Sequence, residues 1–331
     1  MPRRAIAGVA LLGTLAACSG AGPSTTRQAS IATVITPTTI APTTTVTPPT
    51  TVTPATIAPT TVAPTTTMAP PATVTRPSML VDQFATVAGS RMHVRCVGSG
   101  ATTVILIAGF GGSAEIWGAI ETPIAMDARV CSYDRFGTGV SDPPATAQTF
   151  TSQAADLRTA LRSLGEPGPY VVVGHSFGGA EAVAFASMFP GDVSGLLLLD
   201  ASPTGWPDAV CAVPADGSDA ARGFAETCAA FAADANPERL DAPAAFAEVA
   251  AIASLGALPM TVVTAAAHPY AGLDAGEVAH LTDVWDAGQH AWASLSSLGH
   301  VVTVTDTGHD IQLDQPDAVI DQIQQLLGST R

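Results

Sequence analysis

The stretch Gly174-His175-Ser176-Phe177-Gly178-Gly179 decides how this chain folds. It follows the apolar, β-branched run Tyr170-Val171-Val172-Val173. It precedes Ala180-Glu181-Ala182-Val183-Ala184-Phe185-Ala186, a run of good helix formers. A strand-forming run, then G-x-S-x-G, then a helix-forming run predicts strand, sharp turn and helix, with Ser176 at the tip of the turn. The residues two before and two after such a serine approach each other closely, and Gly174 and Gly178 leave the room for it. The serine backbone is held in a sparsely populated conformation, so its hydroxyl projects from the sheet edge. A plainer use of the same letters is a glycine-rich turn whose serine caps a helix. The flanking runs favour the elbow.

Working outward, Thr103–Ala108 is a buried strand that ends in Gly109-Phe110-Gly111-Gly112. Arg129–Tyr133 is another, followed by Asp134-Arg135-Phe136-Gly137-Thr138-Gly139-Val140-Ser141-Asp142. Met79–Ala88 and Ser90–Val97 read as a hairpin about Gly89. Thr151–Leu164 has helical spacing of Ala155, Leu157, Leu161 and Leu164. The elbow helix stops at Pro190. Val193–Leu199 leads to Asp200, Met260–Thr264 is a further strand, and His300–Thr305 leads to Gly308-His309-Asp310. A helix over Asp317–Leu327 closes the chain. Near-continuous apolar strands alternating with helices imply a mostly parallel sheet covered on both faces.

Five motifs stand in a set order: AGFGG at 108–112, YDRFGTGVSD at 133–142, GHSFGG at 174–179, LLLLDAS at 196–202 and TGHDIQLDQP at 307–316. Together they resemble the α/β-hydrolase fold over roughly residues 80 to 331. The resemblance implies an α/β architecture with a helical cap inserted at about 203–258, a segment rich in Ala that carries Trp206, Phe224, Phe231 and Phe246. It implies a serine hydrolase acting on carboxylic esters or related acyl substrates, with Ser176 as nucleophile and His309 as base. A serine hydroxyl needs such a base, itself oriented by an acid. Many relatives place the acid after the penultimate strand, where this chain has Ala265-Ala266-Ala267-His268-Pro269-Tyr270 and no carboxylate before Asp274. Others place it after the strand that follows the elbow helix, where Asp200 stands. Asp200 is preferred and Asp274 is the alternative. The backbone N–H groups of Phe110 and Phe177 are the expected oxyanion donors. His175 is expected to point away from the chemistry. His93, His268, His280, His290 and His300 carry no motif and read as structural or exposed. Trp117, behind the glycine-rich loop, reads as core.

The chain has 331 residues and a net charge of −15, with no lysine among its basic residues. That balance argues against nucleic acid and anionic lipid surfaces as partners. No nucleotide, metal or flavin motif is present, so no cofactor is expected. The expected partner is a small acyl or ester substrate; oligomeric state is not legible. Acyltransferase, peptidase and cofactor-free haloperoxidase activities fit the same site. A surface-binding lipoprotein with a vestigial pocket is the non-enzymatic alternative.

Met1-Pro2-Arg3-Arg4 and the apolar Ala5–Leu15 have the layout of an export signal. Leu15-Ala16-Ala17-Cys18 resembles a bacterial lipobox, which implies a signal peptide over 1–17, lipidation of Cys18 and a membrane contact through lipid alone. Residues 18–78 are rich in Thr and Pro, the composition of an extended, disordered linker. The expected location is therefore extracytoplasmic. In that setting Cys96, Cys131, Cys211 and Cys228 are expected to pair. Cys96–Cys131 and Cys211–Cys228 each keep to one structural layer and are preferred.

Overall fold

The computed structural model describes residues 80–268 and 270–329. The expected signal peptide, the expected Thr/Pro linker and Cys18 lie outside them. Eight strands form one sheet: β1 (Leu80–Val87), β2 (Ser90–Gly98), β3 (Thr103–Ile107), β4 (Arg129–Tyr133), β5 (Tyr170–His175), β6 (Val193–Leu199), β7 (Met260–Ala265) and β8 (Gly299–Val304). Their spatial order is β1-β2-β4-β3-β5-β6-β7-β8. The β1–β2 hairpin and the β2–β4 pair are antiparallel, and all other neighbours are parallel. The exchange of β3 and β4 puts β3 and β5 side by side, so the loops after both strands open at one sheet edge.

The helices are α1 (Gly118–Ile124), α2 (Phe150–Ser163), α3 (Phe177–Met188), α4 (Trp206–Cys211), α5 (Asp219–Ala230), α6 (Ala242–Ala250), α7 (Ala275–Ser294), α8 (Ile311–Asp314) and α9 (Pro316–Ser329). Successive strand residues face opposite sides, and the core divides accordingly. Ile105, Ile107, Val172, Leu196 and Leu198 pack with α2, α3 and α6. Val104, Leu106, Val171, Val173, Leu197 and Leu199 pack with α1 and α9. Trp117 is fully buried in this second layer, as expected. Residues 177–186 of α3 are buried all round, and apart from Glu181 they are apolar or glycine.

Both preferred disulfides are present. Cys96 and Cys131 face each other across the β2–β4 pair, and Cys211–Cys228 joins α4 to α5. The insertion after β6 is helical, built from α4, α5 and α6. Helix α7 fills the stretch between β7 and β8, where the sequence pattern predicts no helix. Its buried Leu281, Trp285, Gln289 and Trp292 lie on one face, but Gln289 interrupts the apolar stripe. Among the described residues, no helix is long and apolar enough to cross a membrane.

Candidate active site

Ser176 sits between β5 and α3 with φ 55° and ψ −124°. This is the strained elbow that the glycines were expected to allow. A Cβ on Gly174 would lie 2.2 Å from the carbonyl oxygen of Gly178. One on Gly109 would lie 3.1 Å from Ser176 Cβ, so the loop after β3 runs directly beside the serine. Phe110 in that loop and Phe177 at the first turn of α3 stack at 5.3 Å between ring centres. The start of α3 adds a dipole that favours negative charge.

Asp200 follows β6 with a positive φ of 42° and is fully buried. Its Oδ2 accepts from His309 Nδ1 at 2.8 Å and from His268 Nε2 at 2.7 Å. Its Oδ1 accepts from Thr264 Oγ1 at 2.9 Å, from the Ala265 N–H at 3.1 Å and from Trp285 Nε1 at 3.1 Å. Burial pushes the Asp200 carboxyl up, but the hydrogen bonds and charges of His268 and His309 outweigh it and hold the group well below the usual carboxylate range. Asp274, the alternative acid, is elsewhere. It caps α7, and its Oδ1 accepts from the N–H groups of Gly276 and Glu277 at 2.7 and 2.9 Å. Asp200, the preferred residue, reaches the end of β7 from β6 through its contacts with Thr264 and Ala265.

Ser176 Oγ lies 3.2 Å from Ser202 Oγ. Among the described residues this is its hydrogen-bond partner; no Ser176–His309 hydrogen bond is formed. The two are nonetheless close in the fold. His175, next to Ser176, lies 4.6 Å from the His309 ring, centre to centre. Its Nε2 donates to the His309 carbonyl at 3.0 Å. The expectation for His175 therefore needs amending: its side chain does not turn away but holds the loop of His309. Burial, and next the neighbouring His309, pull its pKa down to about 3, so it is neutral at ordinary pH.

A buried ionic cluster fixes the loop after β3. The Arg135 guanidinium donates to the carbonyls of Ala108, at 2.6 Å, and Gly109. It also donates to Glu238 Oε2 at 2.7 Å. Glu238 Oε1 in turn accepts from the Gly111 N–H at 2.5 Å. Burial opposes the charge on Arg135, yet Glu238 and Glu181 raise its pKa above the ordinary guanidinium value. Glu238 belongs to the cap insertion, so cap and loop share one ion pair. The aromatic residues Phe177, Phe231 and Phe246 meet nearby, with ring centres 5.7 and 4.9 Å from Phe177.

His268, Ser202 and Glu238 escaped the sequence reading. Only His268 left a trace, by standing after β7 where relatives carry the acid. His93 is held between Asp82 and Asp134, while His280, His290 and His300 are exposed.

A family-level match to the alpha/beta hydrolase fold covers residues 102–236. A thermophilic esterase from Thermogutta terrifontis superposes with a TM-score of 0.55 over 76% of this chain and 99% of its own, at 20% identity. The fold is the α/β-hydrolase fold. Lipase LipV of Mycobacterium tuberculosis is 36% identical over 46% of this chain and 59% of its own length. The acetyltransferase component of the acetoin cleaving system of Cupriavidus necator is 36% identical over 39% of this chain and 33% of its own. The matches span about a third to a half of the length of the first curated relatives. The hydrolase fold places Ser176, Asp200 and His309 at the carboxyl ends of β5, β6 and β8, where ligands bind in open α/β sheets.

Proposed function

We propose that the chain is a serine hydrolase that cleaves carboxylic esters or related acyl compounds through an acyl-enzyme. The observation that carries this is the 2.8 Å contact of His309 Nδ1 with a buried, ionised Asp200, beside a serine held on a strained elbow. In this reading Ser176 turns from Ser202 towards His309 Nε2 when substrate binds; catalytic hydrogen bonds often close only in the complex. Ser176 Oγ attacks the acyl carbon and its proton passes to His309. The oxyanion is held by the N–H groups of Phe110 and Phe177. The bond to the leaving alcohol breaks as His309 returns the proton, and Asp200 stabilises the transient imidazolium. Water then attacks the acyl-enzyme, giving a proton to His309; the bond to Ser176 Oγ breaks as His309 passes that proton to Oγ, and the acid leaves.

The aromatic wall of Phe110, Phe177, Phe231 and Phe246 supports an apolar acyl group as substrate. The N-terminal signal, the lipobox-like Cys18 and the two disulfides support export and lipid anchoring in an oxidising compartment. The test is turnover of a series of p-nitrophenyl esters. Asp200→Asn should lower kcat by roughly 10⁴-fold, while Asp274→Asn should leave it near the parent value. Comparable losses in the two variants would refute the assignment of the acid.

A further inference from the structure

We propose that Asp200, His268 and His309 form a two-histidine, one-carboxylate site for Zn²⁺, and that a bound ion switches the serine centre off. The serine triad needs one histidine on its acid, but here two converge on the same oxygen. His268 Nε2 and His309 Nδ1 stand 2.7 and 2.8 Å from Asp200 Oδ2, and all three atoms lie within 4.8 Å of one another. Imidazole nitrogen and carboxylate oxygen are zinc ligands at about 2.0–2.2 Å, which sets tetrahedral ligand atoms about 3.3 Å apart. The two hydrogen-bonded separations therefore need to open by about half an ångström once an ion replaces the protons between them.

The surroundings are built to hold such a carboxylate. Thr264 Oγ1, the Ala265 N–H and Trp285 Nε1 occupy Oδ1 and leave Oδ2 facing the histidines. Outer contacts of this kind orient metal ligands. The Trp285 ring lies against both imidazoles, 4.9 Å from His268 and 5.3 Å from His309, centre to centre. The His268 side chain is buried, but that of His309 is 37% exposed, so an ion and a water for its fourth position can enter from that side.

Proton accounting gives the consequence. To donate to Asp200, neutral His309 carries its proton on Nδ1 and neutral His268 carries it on Nε2. Coordination takes the lone pair at each of these atoms. The proton of His309 moves to Nε2 and that of His268 to Nδ1, with no net release and no change of oxidation state. His309 Nε2 then holds a proton and cannot accept the one from Ser176.

The inhibitory half rests on the hydrolase reading; the binding half does not. Metal-free Ser176→Ala protein, titrated with ZnCl₂ in a calorimeter, should bind zinc stoichiometrically. Adding His268→Ala should weaken binding by more than about 100-fold, and adding Thr264→Val by roughly 10- to 100-fold. His268→Gln, which keeps an N–H for Asp200, should show the same loss as His268→Ala, with circular dichroism confirming that both fold. MgCl₂, a hard cation that prefers oxygen ligands, should not bind there. Folded Ser176→Ala that takes no zinc, or His268 variants that bind it as tightly, would overturn the site. With wild-type protein, ZnCl₂ should stop ester turnover and EDTA should restore it. Zinc bound without inhibition would overturn the tautomer block. No turnover in EDTA would refute the hydrolase reading and leave the binding result standing.

Discussion

Replacing Glu181 with Gln should remove most of the loss of stability that the parent protein suffers between mildly acidic and mildly alkaline pH. Glu181 is fully buried in α3, five residues beyond Ser176. Tyr133 donates its hydroxyl to Oε1. Among the described residues Oε2 has no hydrogen-bond partner, and it lies 3.6 Å from Arg135. Burial is the largest influence and pushes the carboxyl up. The Arg135 charge and the Tyr133 donor pull it back, and Glu238 pushes it further up, which leaves it at about 7 against an ordinary 4.5. That difference corresponds to about 3 kcal/mol. The folded state binds this proton more tightly than the unfolded state, so its stabilisation is complete below pH 4.5 and is lost as pH rises through about 7. Glutamine keeps an acceptor for Tyr133 and cannot ionise. Urea unfolding at pH 5 and pH 8 gives the assay. The wild-type protein should lose about 2 to 3 kcal/mol more than Glu181→Gln between the two. Stability curves for the two proteins that run parallel with pH would refute a proton held on Glu181.

Glu238→Gln should reduce kcat by roughly 10- to 100-fold with little change in KM, because it takes the carboxylate from Arg135 and loosens the loop of Phe110; steady-state kinetics on one ester checks this. His175 gives the opposite pH slope to Glu181. Its folded pKa is depressed to about 3, so stability is full above about 6.5 and falls with decreasing pH by about 1.4 kcal/mol per pH step, because the unfolded chain takes up a proton that the buried ring refuses until about pH 3. His175→Gln should flatten that acid limb in urea unfolding, and an unchanged limb would contradict it.

The strands, the elbow and the two disulfides were legible because local signals carry them. A β-branched run, a G-x-S-x-G turn and four cysteines in the folded part of the chain each speak through local sequence. Asp200 was legible only as a choice, since the partner that decides it, His309, is 109 residues away. Helix α7 was missed because Gln289 breaks its apolar stripe. That glutamine is buried to donate to the Ala201 carbonyl, a contact visible only after folding. Glu238 was missed for a related reason: a lone acidic residue in an alanine-rich cap looks solvated until Arg135, 103 residues earlier, is seen beneath it.

The central claim is that Ser176 is a nucleophile activated by His309. A fluorophosphonate probe tests it most directly, because it phosphonylates only a serine whose proton is being taken. Intact-mass measurement of the folded protein should show the probe adduct on the parent chain, none on Ser176→Ala and a greatly slowed adduct on His309→Ala. A parent chain that stays unlabelled, or a Ser176→Ala variant that is labelled as fast, would contradict the account.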